Sequence, residues 1–139
     1  MKSQAISLRL PPEMRVEIEE LTQRTGRDFS GIAKELLAEG LKMRRIPGIA
    51  FADSPSGRVA RVAGSGVAVF EVVRDYRDLG GDVERLREAF HWLSEHQIRA
   101  ALAYAAAYPE EIQARLDAEE RWTPERTWAK YPFTKPAGR

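Results

Sequence analysis

Residue character changes at every step through Ala5-Ile6-Ser7-Leu8-Arg9-Leu10. Side chains along a strand alternate between its two faces, so Ile6, Leu8 and Leu10 share one face and Ala5, Ser7 and Arg9 the other. The first face is apolar. The second is small, polar and cationic, with a hydroxyl and a guanidinium ready to meet acceptors. No second strand pattern occurs until the chain is past residue 46. The row of unpaired N–H and C=O groups therefore predicts pairing with a second copy across a two-fold axis, and with it an obligate dimer. A short amphipathic edge strand with a solvated arginine is the alternative.

A second group of residues stands at the other end of the chain. Trp122, Trp128, Tyr131 and Phe133 are spread among Thr123-Pro124, Tyr131-Pro132 and Lys135-Pro136, with the cations Arg126 and Lys130 between them and Lys135 and Arg139 beyond. Aromatics so diluted by proline and charge cannot build their own core, which predicts a strip that orders against a partner. Packing back onto the parent domain is the alternative.

Residue sets for covalent or metal chemistry are missing. The chain has no cysteine, which excludes disulfides and thiolate metal sites. His91 and His96 are five apart, off a common helical face, and too few for a metal centre. Gly64-Ser65-Gly66 lacks the Gly-Lys-Ser/Thr of a P-loop and the third glycine of a dinucleotide fingerprint. Glu84 and Glu88 alternate with Arg85 and Arg87 as a solvated helix face would. With no nucleophile elbow or metalloprotease helix motif either, no enzyme activity, cofactor or metal is expected.

The elements that must position these residues can be read in order. Pro12 and Glu13 suit a helix's first turn, Met14, Ile18 and Leu21 give its inward stripe, and Gly26 ends it. Asp28 or Ser30 can cap the next helix, whose buried stripe reads Ile32, Ala33, Leu36, Leu37 and Leu41. Lys42, Arg44 and Arg45 suit its C-terminal end. Alternation around Ser54-Pro55-Ser56-Gly57 predicts a hairpin with strands near 49–53 and 58–62. Gly64-Ser65-Gly66 is expected to open a helix with Val69, Val72, Val73, Tyr76 and Leu79 on one face. After Gly80-Gly81, Asp82 caps a short helix carrying Val83, Leu86 and Phe90. Ser94 to Gln97 form a capping box for a helix burying Ile98, Ala101, Leu102 and Ala105, and exposing Glu95, His96, Gln97, Arg99, Ala100, Ala103 and Tyr104. Residues 110–121 continue as a helix, and prolines interrupt the remainder of the chain.

Strand, Pro-Pro-Glu, helix, glycine turn and helix in that order resemble the ribbon-helix-helix repressors of the Arc and MetJ type throughout residues 3–45, in "ISLRLPPEM…LTQRTGRDFSGIAKELLAEGL". The resemblance implies that the paired strands enter the DNA major groove with Ala5, Ser7 and Arg9 outward, Arg9 able to fork onto guanine O6 and N7. It also implies that the N-terminus of the second helix sits on a DNA phosphate, with Arg27 and Ser30 as backbone anchors. "RIPGIAF", "GRVARVAGSGVAVFEVVRDY", "GGDVERL" and "WLSEHQIRAALAYAAAYPEEI" look like a bacterial domain-of-unknown-function family with a small hairpin and a helix-turn-helix, encoded beside PIN-like toxins. The whole resembles a VapB-type antitoxin.

The expected fold is therefore mainly α with small β: a ribbon-helix-helix dimerisation module (1–46), a β-hairpin plus helix-turn-helix domain (47–109), and a helix with a partner-binding tail (110–139). The resemblance implies neutralisation of a PIN-like ribonuclease toxin and autorepression of the operon through sequence-specific binding to operator DNA, as a homodimer or higher oligomer. Trp122, Arg126, Trp128, Lys130, Tyr131 and Phe133 are the toxin-binding candidates. A stand-alone dimeric transcriptional regulator without a toxin partner is the alternative.

Composition bounds these expectations. The chain has 139 residues, 43% hydrophobic and 31% charged, with formal net charge +1. That charge is no global nucleic-acid signature, so affinity for DNA must come from local placement. Residues 1–46 carry nine Lys/Arg against seven Asp/Glu, residues 47–109 seven against eight, and residues 110–139 six against six. Only the first segment is net positive, which argues for caution over DNA contact by the second. The longest apolar run, Ala100 to Tyr108, is too short to span a bilayer, and a cytoplasmic protein without membrane association is expected.

Overall fold

The computed structural model describes residues 2–121 and 124–138. The chain divides into two compact units, Met1–Lys42 and Met43–Arg139. It is mainly helical, with one two-stranded antiparallel sheet among the described residues.

In the first unit, α1 spans Pro12–Thr25 and α2 starts at Phe29, running to Arg45. Proline in the first turn costs α1 no hydrogen bond, and Glu13 sits at the positive end of its dipole. Gly26 closes α1 in the left-handed region, φ 69°, with its N–H donating to the Thr22 carbonyl at 2.9 Å. Asp28 caps α2: its Oδ1 accepts from the Gly31 N–H at 3.1 Å. Ser30 thus lies inside the first turn and is not the cap. Ile18 and Ile32 are buried. The rest of the expected stripes departs from expectation, since Met14, Leu36, Leu37 and Leu41 are exposed and Leu21 half-buried. Residues 2–11 form neither helix nor strand, and the expected strand 5–10 has no ladder partner among the described residues.

In the second unit, β1 (Ile49–Ser54) pairs with β2 (Gly57–Val62) from Ile49 opposite Val62 to Ser54 opposite Gly57. The turn closes through the Ser54 hydroxyl, which donates to the Gly57 carbonyl at 2.7 Å. Gly64-Ser65-Gly66 does not open a helix. Its turn is held by Ser65 Oγ donating to the Val62 carbonyl at 2.8 Å, and the returning Val67 carbonyl accepts from Val62 N–H. The helix α3 begins only at Val69 and ends at Asp78. Beyond it lie α4 (Val83–Ala89), α5 (Glu95–Ala107), α6 (Pro109–Arg121), α7 (Pro124–Lys130) and a 3-10 turn, Pro132–Thr134.

The core of this unit is built around α5, which packs against both strands of the hairpin, α3 and α6. Contact on so many sides buries Ala100 and Tyr104, which periodicity places outside, together with Ile98 and Ala101. Leu102 and Ala105 are only partly buried. Ala100 meets the hairpin's approach, where Gly48 at φ 94° would bring a Cβ to 3.3 Å of the Ala100 Cβ. Leu86 and Phe90 of the short helical segment enter the core, whereas Val83 stays exposed. Ile112 and Leu116 also belong to the core, so α6 is part of this packed unit and not of the tail. The prolines do not exclude helix beyond it, since Pro124–Lys130 form α7.

Candidate functional site

The N-terminal segment presents its apolar residues to solvent. Ile6 is 89% and Leu8 71% exposed, while the alternate residues Ala5, Ser7 and Arg9 are exposed as well. On α2, Leu37 is 60% and Leu41 69% exposed, with Leu36 beside them. Leu37 and Leu41 are one helical turn apart and share a face with Leu36 nearby. Leu36, Leu37 and Leu41 thus leave an apolar patch of α2 in water.

At the other end of α2 stand the two expected backbone anchors, Ser30 in the first turn and Arg27 just before the helix. Ser30 is exposed. Arg27 is engaged: its Nη1 donates to Glu35 Oε2 at 2.6 Å and its Nη2 to the Gly31 carbonyl at 3.4 Å. A cation beside a helix N-terminus opposes the dipole there, and Glu35 compensates it. Sequence patterns miss this pair because Arg27 precedes the helix, so the i,i+4 rule has nothing to register.

The helix-turn-helix expectation rests on an exposed face of α5. The face that remains open carries Glu95, His96, Arg99 and Ala103. Arg99 donates to Glu95 at 2.7 Å, so the one guanidinium on that face already meets a carboxylate. Tyr104 is buried and its hydroxyl donates to Glu111 of α6, a structural tie between the two helices. Arg115 serves a similar purpose: its guanidinium lies over the Phe70 ring at 5.2 Å and donates to Ser54 Oγ at 3.0 Å. A cavity of about 270 Å³ opens beside it, floored by Phe51, Val59, Phe70 and Ile112 and rimmed by Arg58 and Glu111. It contains no nucleophile paired with a base. Among the described residues no group of three or more His, Asp or Glu is poised to hold a metal ion, and no helix is long and apolar enough to cross a membrane.

Of the tail residues, Trp122 lies outside the described residues. Arg126, Trp128 and Lys130 lie on α7, with Trp128 half-buried and the two cations exposed. Tyr131 and Phe133 stack edge to face at 6.0 Å between ring centroids, with Lys130 Nζ 5.4 Å from the Tyr131 ring centre. Phe133 is nevertheless 84% exposed. The structure thus brings Lys130, Tyr131 and Phe133 together where α7 passes into the 3-10 turn, with Trp128 earlier on α7 and Arg126 donating back to the Arg121 carbonyl at 3.4 Å. The chain matches no known protein family, no characterised protein and no solved structure.

Proposed function

We propose that the chain is a dimeric DNA-binding antitoxin that represses its own operon and masks a PIN-like nuclease. The observation that carries the DNA-binding part is the exposed alternation at residues 5–10 together with the uncovered leucines of α2. An unpaired segment of strand-like alternation and an apolar helix face are both satisfied by one event, pairing with a second copy. Pairing with Ile6, Leu8 and Leu10 inward turns Ala5, Ser7 and Arg9 outward as a two-stranded ribbon of major-groove width, and Arg9 then reads guanine. The phosphate anchors are Arg27 and Ser30 at the start of α2.

The nuclease partner rests on the resemblance of the second unit and on the exposed hook formed by α7 and the turn after it. Nucleases of the PIN type cluster carboxylates around a divalent cation, and an inhibitor gains by covering that cleft and offering a cation in the metal's place. Aromatic anchors beside Arg126 and Lys130 supply both requirements. The packing of α5 and the pairing of Arg99 with Glu95 on its open face argue against the second unit as a DNA reader.

Replacing Arg9 with alanine tests the reader. The variant should remain dimeric but lose operator selectivity, because a bidentate guanine contact is worth about 1–3 kcal/mol and the two-fold axis applies the loss twice. Gel-shift competition between the sequence upstream of the reading frame and a scrambled duplex, at fixed salt, measures it. Undiminished discrimination contradicts the assignment of Arg9.

A further inference from the structure

Arg27 stands before the first turn of α2, where the positive end of the helix dipole disfavours a cation. It is nonetheless held there from two sides. Glu35 reaches back across two turns to take Nη1 at 2.6 Å, and the Gly31 carbonyl takes Nη2 at 3.4 Å. Gly31 leaves room for the Asp28 cap beside this pair, since a Cβ on it would come within 2.7 Å of Asp28 Oδ1, while Arg27 Nη2 at 3.6 Å would be in ordinary contact. The pair is not sealed off: the arginine side chain keeps 45% of its surface and the glutamate 30%. An incoming phosphate can therefore compete for the same guanidinium.

We infer that Glu35 is a positioning residue that sets the strength of the phosphate contact by competing with DNA for Arg27. This rests on the proposed role of Arg27 as a backbone anchor and adds its restraint. In the free chain the charge of Arg27 is spent on Glu35. On DNA the guanidinium exchanges one carboxylate for a phosphate, so part of the contact's strength goes into breaking the ion pair. The device weakens sequence-independent binding more than base reading, because Arg27 meets only the backbone and Arg9 the bases.

The test is the charge-neutral variant Glu35→Gln, with Glu35→Ala as a second version, measured as the full-length dimer on a labelled random-sequence duplex across a salt series. A partly exposed ion pair is worth roughly two- to fivefold in an equilibrium, so E35Q should tighten binding by about that factor for each arginine engaged. Because Arg27 meets its phosphate in both forms, the slope of log affinity against log salt should stay the same in E35Q, and become shallower by about 0.9 for each arginine lost in Arg27→Ala. In an Arg27→Ala background the glutamate and glutamine forms should bind alike. Unchanged or weaker binding by both Glu35 variants, with circular dichroism and dimer mass intact, overturns the inference. So does a tightening that survives in the Arg27→Ala background, which would be an effect of net charge alone. A wild-type dimer that binds no duplex at any salt fails in a distinguishable way, removing the DNA-binding proposal itself and the inference with it.

Discussion

Replacing Leu8 with alanine should weaken the dimer and leave the folding of the second unit untouched. In the single chain Leu8 keeps 71% of its surface in water, so the monomer gains little from it. If the paired ribbon forms, that surface is buried. Full burial of a leucine side chain is worth about 1.5–3 kcal/mol, and about seven-tenths of that change belongs to dimerisation, or about 1–2 kcal/mol per chain. Two-fold symmetry doubles the loss to about 2–4 kcal/mol, which corresponds to roughly a 30- to 1000-fold rise in the dimer dissociation constant. Differences between variants in buried area are sounder than absolute sums, so the comparison with wild type is the quantity to measure. Sedimentation equilibrium over a range of loading concentrations gives it directly. Val83→Ala, at an exposed site of the second unit, serves as the control and should leave the constant unchanged. A dissociation constant for Leu8→Ala equal to wild type would refute the pairing of residues 5–10.

Leu86→Ala removes a fully buried side chain from the core of the second unit and should cost about 2–5 kcal/mol, read as a drop in the unfolding midpoint of that unit by denaturant titration. Ser94→Ala removes the oxygen that accepts from the Gln97 N–H at 3.1 Å at the start of α5, and should cost about 0.5–2 kcal/mol in the same titration.

Local chemistry is legible where one residue type answers one backbone need. The αL closure at Gly26, the Asp82 cap, the Ser94–Gln97 capping box and the two hairpin strands all obey turn and cap rules, and each stands within a residue of its expected place. Periodicity fails where the number of covered faces matters. Alternation identifies one buried stripe, but α5 meets neighbours on several sides, so Ala100 and Tyr104 are inside although they fall off the stripe. It fails in the opposite sense on α2, where Leu36, Leu37 and Leu41 carry an inward pattern yet are 41%, 60% and 69% exposed. The prolines near Trp128 suggest a broken tail, yet Pro124–Lys130 are helical. The Arg27–Glu35 pair has no sequence signal, because it forms between a residue before the helix and one two turns into it.

The central claim is that the chain silences a nuclease through its C-terminal hook, and the direct measurement is a titration of the protein encoded beside it. Ribonuclease activity of that neighbour should fall to background with the full chain and stay high with a chain ending at Arg121, which lacks residues 122–139, while both forms bind DNA equally. If the truncated chain inhibits as completely as the full one, or if the full chain does not inhibit at all, the claim is contradicted.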